Sequence, residues 1–268
     1  MNIKAVIFDW AGTVVDHGCL APAKALQQVF ADAGVPIAEA EARADMGRAK
    51  RDHVRALLAL PRVAEAWRKA HGAPPTETDV STLHDAVEPM MQAAGAERAE
   101  LIPGAERLAG LRAAGVKIGS TTGYTRAMMA GILPKAAAQG YAPEVVVCAG
   151  ETLEGRPSPL MMWKALVELG AWPASACVKV DDSPVGIGEG RAAGAWTIGV
   201  AASGNGVGLS VDALQALDPA ERQRRVAAAA AELRAAGADY VVDSVADLEP
   251  VLGEISDRIG RGERPTGT

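Results

Sequence analysis

Short apolar runs recur along the chain, and each one ends in small polar or acidic residues. Residues 4–8 (Lys-Ala-Val-Ile-Phe) run into Asp9 and a turn at Gly12-Thr13. Val116–Ser120 leads to Thr121-Thr122-Gly123, Glu144–Cys148 to Ala149-Gly150, and Ala176–Val180 to Asp181-Asp182. Ala195–Val200 ends near Ser203, and Ala238–Val242 supplies one more run. Runs this short and this rich in β-branched residues predict buried strands. Helical stretches separate them, such as Ala105–Ala114, Pro159–Leu169, Gly186–Ala193 and Pro219–Ala236. Strand alternating with helix predicts an α/β fold with a doubly wound, Rossmann-like parallel sheet covered on both faces. Ligands of such sheets bind at the carboxyl ends of the strands, where the polar residues gather here.

The pattern changes between the first strand and the second. Ala23–Ala33, Glu39–Met46, Lys50–Leu60, Arg62–His71 and Thr78–Ala94 keep helical periodicity, with breaks at Gly34-Val35-Pro36, Pro61 and Pro74-Pro75. This predicts an all-helical cap domain over 19–99, inserted into a core domain made of 1–18 and 100–268, with Leu101-Ile102-Pro103-Gly104 as the return. The last stretch, Arg258–Thr268, is polar and expected to fray.

Composition narrows the function classes. Apolar residues are 49% of 268, enough for a sizeable core, and no uninterrupted apolar run reaches the length of a membrane span. The net charge of −6 argues against broad nucleic-acid binding. Three cysteines, Cys19, Cys148 and Cys177, cannot all pair and form no CxxC pattern, which predicts a reduced, cytoplasmic setting.

Asp9 at a strand end is costly unless it has a partner, although an aspartate capping a turn is the plainer reading of that residue alone. Three further features change the balance: Ser120-Thr121-Thr122-Gly123 ending a second strand, Arg156 in Gly155-Arg156-Pro157, and the acidic pair Asp181-Asp182. In this order the four resemble the motifs of the haloacid dehalogenase superfamily. The resemblance implies Mg2+ held by Asp9, the Ala11 carbonyl and Asp182, with Thr122, the Gly123 amide and Arg156 gripping the transferred group. Asp9 would be the nucleophile, made competent by a cation that screens two anions from one another. Many members carry a second acid four residues after the metal-binding one; that position is Gly186, and Asp181 is the candidate to take up part of its role.

Superfamily phosphatases usually place a second aspartate two residues after the nucleophile, to protonate a leaving alkoxide. Ala11 stands there. Either the chain is a dead phosphatase or its leaving group is not an alkoxide. The cap offers a replacement in Met46–Leu57, where Lys50 starts a helix and His53 follows three residues on, on the same face. A neutral lysine condenses with an aldehyde, and the protonated imine accepts the electrons of a carbon–phosphorus bond broken beta to it. Arg48, Arg51 and Arg55, with burial, are expected to lower the Lys50 pKa. On spacing alone, Lys50 reads as one more solvated helix cation.

The cap stretch, Asp9-Trp10-Ala11-Gly12-Thr13 and Gly119–Thr125 together resemble the family of phosphonoacetaldehyde hydrolases (phosphonatases). That resemblance implies hydrolysis of phosphonoacetaldehyde to acetaldehyde and phosphate, with Asp9 as nucleophile, Lys50 as the imine-forming lysine and His53 as proton shuttle. Cys19, Met46 and Tyr124 fall in the matched stretches and would line the site, and a homodimer is implied. The alternative is a Mg2+-dependent phosphatase or phosphomutase of the same superfamily. Gly186-Ile187-Gly188-Glu189-Gly190 does not fit the GxGxxG spacing of a dinucleotide site.

Overall fold

A computed structural model describes residues 1–266. The apolar runs form strands β1 (Ala5–Phe8), β2 (Lys117–Thr122), β3 (Val145–Cys148), β4 (Cys177–Asp181), β5 (Trp196–Val200) and β6 (Tyr240–Val242). They make one parallel sheet in the order β3-β2-β1-β4-β5-β6. The chain winds outward from β1 in one direction, then crosses back to β4 and winds the other way. That reversal opens a crevice at the carboxyl ends of the central strands. The register puts Phe8 beside both Ser120 and Val180, so Asp9, Thr121 and Asp181 lie at one level.

Between β1 and β2 run five helices: α1 (Leu20–Asp32), α2 (Glu39–Ala44), α3 (Lys50–Ala59), α4 (Pro61–His71) and α5 (Glu77–Glu97). Thr76 caps α5 reciprocally with Asp79, which starts the helix one residue ahead of the expected Thr78. Helix α5 packs on α1 and α3, and Leu26, Phe30, Val54, Leu57, Val87 and Met91 bury an apolar interior continuous with the Phe8 and Trp10 side of the sheet. The two connections to the insertion run side by side, with the Ile102 amide donating to the Val14 carbonyl at 2.8 Å.

The sheet is flanked by α6 (Arg126–Met129), α7 (Ile132–Ala138), α8 (Leu160–Leu169), α9 (Pro184–Ala193), α10 (Val211–Gln215), α11 (Pro219–Ala235) and α12 (Leu248–Gly260). Three differences from the sequence reading stand out. Ala105–Ala114 winds as 3₁₀ turns, with Gly110, a poor helix former, at its centre. Helices α6, α7, α10 and α12 are additional. The segment expected to fray instead begins inside α12, where Arg258 stacks on Trp196 and donates to the Tyr240 hydroxyl, while the Thr266 amide donates to Asp239; residues 267–268 lie outside the described residues. Among the described residues no helix is long and apolar enough to cross a membrane.

Candidate active site

The ends of β1, β2 and β4 and the start of α3 enclose a cavity of about 20 Å³ lined by Asp9, Ala11, Thr122, Gly123, Tyr124 and Asp182 from the sheet side. Cys19, Met46, Gly47 and Lys50 line it from the insertion. That is room for about one water molecule. Tight seating explains the small volume: a Cβ on Gly123 would stand 2.4 Å from the Arg48 carbonyl oxygen, and one on Gly47 2.4 Å from Ser183 Oγ.

The alternation of β2 sorts its hydroxyls. Ser120 Oγ donates to the Phe8 carbonyl at 2.9 Å, and Thr121 faces away from the cavity. Thr122 lines it, accepting the Tyr124 amide at 3.2 Å, so the register brings this hydroxyl to the cavity wall.

Asp9, Asp181 and Asp182 each offer a carboxylate oxygen within 4.8 Å of the others, an all-oxygen group that could hold a metal ion. Gly12 makes room for it, because a Cβ there would meet Asp182 Oδ2 at 2.2 Å. The Asn205 amide donates to that oxygen at 2.7 Å, which leaves Asp182 lone pairs to spare. Burial, then the neighbouring Asp181, pushes the Asp9 carboxyl up to about 6, against the opposing pull of Arg156. Asp182 is pushed well above the usual carboxylate range by burial and by the same crowding. Carboxylates so placed need a cation to ionise together.

Asp181 is engaged on both sides. Its Oδ1 accepts from the Ser183 amide at 3.0 Å and the Ser183 hydroxyl at 2.7 Å, and its Oδ2 lies 3.1 Å from Lys179 Nζ. It also fills the space a side chain from residue 186 would use: a Cβ on Gly186 would fall 1.9 Å from Asp181 Oδ2. Arg156 lies behind Asp9 rather than on the cavity wall, with Nη1 donating to Asp9 Oδ1 at 2.7 Å. Sequence reasoning overlooks Lys179 and Glu189, both wholly buried beside Arg156. The signal was present, since one is a lysine inside an apolar strand and the other a glutamate between two glycines, of which Gly190 packs on β4 and β5.

On the insertion side, Lys50 is buried, with Nζ 5.4 Å from the Tyr124 ring centre and 3.9 Å from Met46 Sδ. Its pKa falls from 10.5 to about 8, chiefly by burial. The expected arginines are not the cause. Arg48 pairs with Asp45, Arg51 bonds Ser81, and Arg55 bridges Asp52 and Glu77 on the exposed face; the cation that pushes Lys50 down is Arg156. His53 is buried one turn along α3, with neither ring nitrogen in a hydrogen bond and only a weak backbone contact at Ala42. Burial first, then the charges of Lys50 and Arg48, hold its imidazole neutral. Burial likewise keeps the Cys19 thiol and the Tyr124 phenol protonated.

A doubly wound sheet with a helical insertion after β1 and carboxylates at its central strand ends defines a class. The haloacid dehalogenase-like hydrolase family model matches residues 3–194. A phosphonoacetaldehyde hydrolase of Paraburkholderia xenovorans (strain LB400) is 52% identical over 265 residues, covering 98% of this chain and 99% of that one. Its namesake in Nitratidesulfovibrio vulgaris is 47% identical, covering 98% and 94%. The crystal structure of a phosphonoacetaldehyde hydrolase-like protein from Oleispira antarctica superposes with a TM-score of 0.96 at 43% identity, covering 99% of this chain and 96% of that one. Within the haloacid dehalogenase-like hydrolases, this chain belongs to the phosphonoacetaldehyde hydrolase family.

Proposed function

We propose that this enzyme hydrolyses the carbon–phosphorus bond of phosphonoacetaldehyde to acetaldehyde and phosphate. The observation that carries the reading is a buried amine of lowered pKa, Lys50, facing the same cavity as Asp9, with the methyl of Ala11 where a phosphatase needs an acid. The neutral amine adds to the aldehyde carbon, and loss of water with uptake of one proton leaves a protonated imine. Asp9 attacks phosphorus, the carbon–phosphorus pair flows into the imine as an enamine, and an aspartyl phosphate forms. Protonation of the enamine carbon and hydrolysis of the imine release acetaldehyde and restore Lys50. Water then cleaves the aspartyl phosphate. His53, neutral and one turn from Lys50, is placed to carry protons in imine formation and enamine protonation.

Asp9, Asp182 and the Ala11 carbonyl would hold Mg2+, whose preference for hard oxygen ligands suits this donor set. The ion supplies charge screening between Asp9 and the phosphonate. Thr122 and the Gly123 amide would hold phosphonate oxygens, and Arg156 would steady Asp9 from behind. Cys19, Met46 and Tyr124 would wall the aldehyde end.

Residues 19–99 act in this reading as a cap on a core of 1–18 and 100–268, and the cap opens to admit a substrate the present cavity is too small to hold. A homodimer and a reduced, cytoplasmic setting belong to the same proposal, the latter supported by three buried free thiols. A phosphatase or phosphomutase shares the scaffold, as a β-phosphoglucomutase from Clostridium difficile does at 17% identity and a TM-score of 0.66, but requires the acid that Ala11 lacks.

Borohydride added during turnover tests the imine. Mass spectrometry should find a reduced two-carbon adduct on Lys50, absent from Lys50→Ala. Wild-type enzyme that releases phosphate yet stays unmodified would exclude this route, and turnover that survives EDTA would exclude the cation site.

A further inference from the structure

Behind the cavity floor lies a group of charges that the reaction above leaves without a task. Lys179 on β4 and Glu189 on α9 are wholly buried, where an ionised side chain persists only with partners. Their partners close a ring. Glu189 Oε2 lies 2.9 Å from Arg156 Nε and 3.0 Å from Lys179 Nζ. Asp181 Oδ2 lies 3.1 Å from Lys179 Nζ and 3.4 Å from Arg156 Nη1. The Thr121 hydroxyl sits among them, 2.7 Å from Lys179 Nζ and 2.8 Å from both Arg156 Nη2 and Glu189 Oε2. Two cations and two carboxylates alternate, so the ring is neutral as a unit. Of its members, Arg156 reaches out to Asp9.

With the ring neutral, Asp9 and Asp182 carry two negative charges between them once both are ionised, which is the charge a divalent cation cancels. We infer that Lys179 and Glu189 are positioning residues: they clamp Arg156 against Asp9 and balance the ring, so that Asp9 and Asp182 alone set the charge of the cation site. This rests on the reading of those two aspartates as the cation's carboxylate ligands. Asp181 belongs to the same acidic cluster but serves the ring, because its two oxygens are already committed to Ser183 and to the two cations.

The two residues carry opposite charge, so their removal acts in opposite directions on a cation nearby. A residue that only packs would weaken the site whichever one is lost. The test is calorimetric titration of the full-length protein with Mg2+ and no substrate. Glu189→Gln leaves the ring with one positive charge and should weaken binding on the order of tenfold. Lys179→Met leaves one negative charge and should tighten binding by a similar factor, while kcat falls because Arg156 is drawn off Asp9. The double variant is neutral again, and its affinity should return to within about threefold of wild type. Thr121→Val, which changes no charge, should also stay within about threefold.

Single variants that both weaken binding, or a double variant no closer to wild type than the worse single, would overturn the inference. If circular dichroism shows that the charge variants do not fold, Thr121→Val decides: a tenfold change in Mg2+ affinity there would equally overturn it. Wild-type protein that binds no Mg2+ would instead remove the reading of Asp9 and Asp182, and the ring's assigned role with it.

Discussion

The reactivity of Lys50 should follow a protonation midpoint about 2.5 pH units below that of an ordinary lysine, taking its pKa of about 8 against 10.5. At pH 7 an amine with the lower value is neutral in roughly one molecule in eleven, and one with the higher value in about one in three thousand. Burial therefore multiplies the reactive fraction about 300-fold, equivalent to about 3.4 kcal/mol. The anions Asp9 and Asp182 act against this shift, so a cation that neutralises them should lower the midpoint further. The perturbation is pH itself, from 6 to 10, with Mg2+ omitted and phosphonoacetaldehyde limiting. The assay is the initial rate of borohydride-trapped adduct on Lys50, read by mass spectrometry against an unreactive peptide of the same digest. Capture should rise about fivefold between pH 7 and pH 8 and level off above pH 9. A rate still climbing tenfold per unit at pH 9 would mean a solvated lysine, and the assignment of Lys50 as a buried, pre-activated amine would fail.

The same burial has a stability signature. The folded pKa of Lys50 lies below its unfolded value, so the folded state binds fewer protons between about 8 and 10.5, and stability rises with pH through that window. At pH 7 the buried charge costs up to about 3 kcal/mol, and Lys50→Met should unfold at higher urea while losing all turnover. Gly186→Asp drives a side chain into Asp181 Oδ2 and should cost at least about 3 kcal/mol in chemical denaturation. Adding Asp181→Gly should recover much of that stability; a double variant as unstable as the single would show that the two positions do not share the space. Gly123→Ala places a methyl against the Arg48 carbonyl and should hold the cap off the sheet. Phosphate release should then fall by about two orders of magnitude with the fold intact by circular dichroism, and near-normal kinetics would refute close seating as a condition of turnover.

The strands were legible because each is a short apolar run with a polar end, and their doubly wound order follows from the intervening helices. The insertion was legible because periodicity in the first hundred residues changes from strand-like to helical. Helices α6 and α7 are four and seven residues long, too short to show a period. Helix α12 did carry one, in Leu248, Leu252, Ile255 and Ile259, hidden by the polar residues around it. Asp9, Thr122 and Asp182 could be placed together from the sequence because strand ends are fixed by the strands, and the three line one cavity. The surroundings of Lys50 could not. Whether a helix arginine faces the lysine or the solvent depends on tertiary packing, and Arg51 and Arg55 lie on the outer face with Glu77. For Gly186 the sequence pointed to Asp181 as the residue to take up part of the missing acid's role; in three dimensions Asp181 occupies the space a side chain at 186 would use.

The placement of charge between the two sides of the cavity bears on when chemistry begins. The sheet side lines it with two carboxylates, Asp9 and Asp182, while the insertion brings a thiol, a thioether, a glycine and one amine. That amine faces Asp9 and Asp182, which favour its protonated form, and desolvation outweighs them. Desolvation of Lys50 depends on the Met46–Lys50 segment lying against Gly123 and Ser183, because those contacts are what shrink the cavity to about one water. In the proposed cycle, an opening wide enough to admit substrate readmits water to the amine and removes the largest contribution to its lowered pKa, so that it returns toward the ordinary lysine range. On the proposed imine route, Lys50 is therefore least reactive when the site is open to solvent and most reactive once a cap formed by 19–99 has closed over an aldehyde. Closure, in the same proposal, acts on the amine's protonation state as well as on its position, and solvent aldehydes meeting the open enzyme encounter an ammonium group.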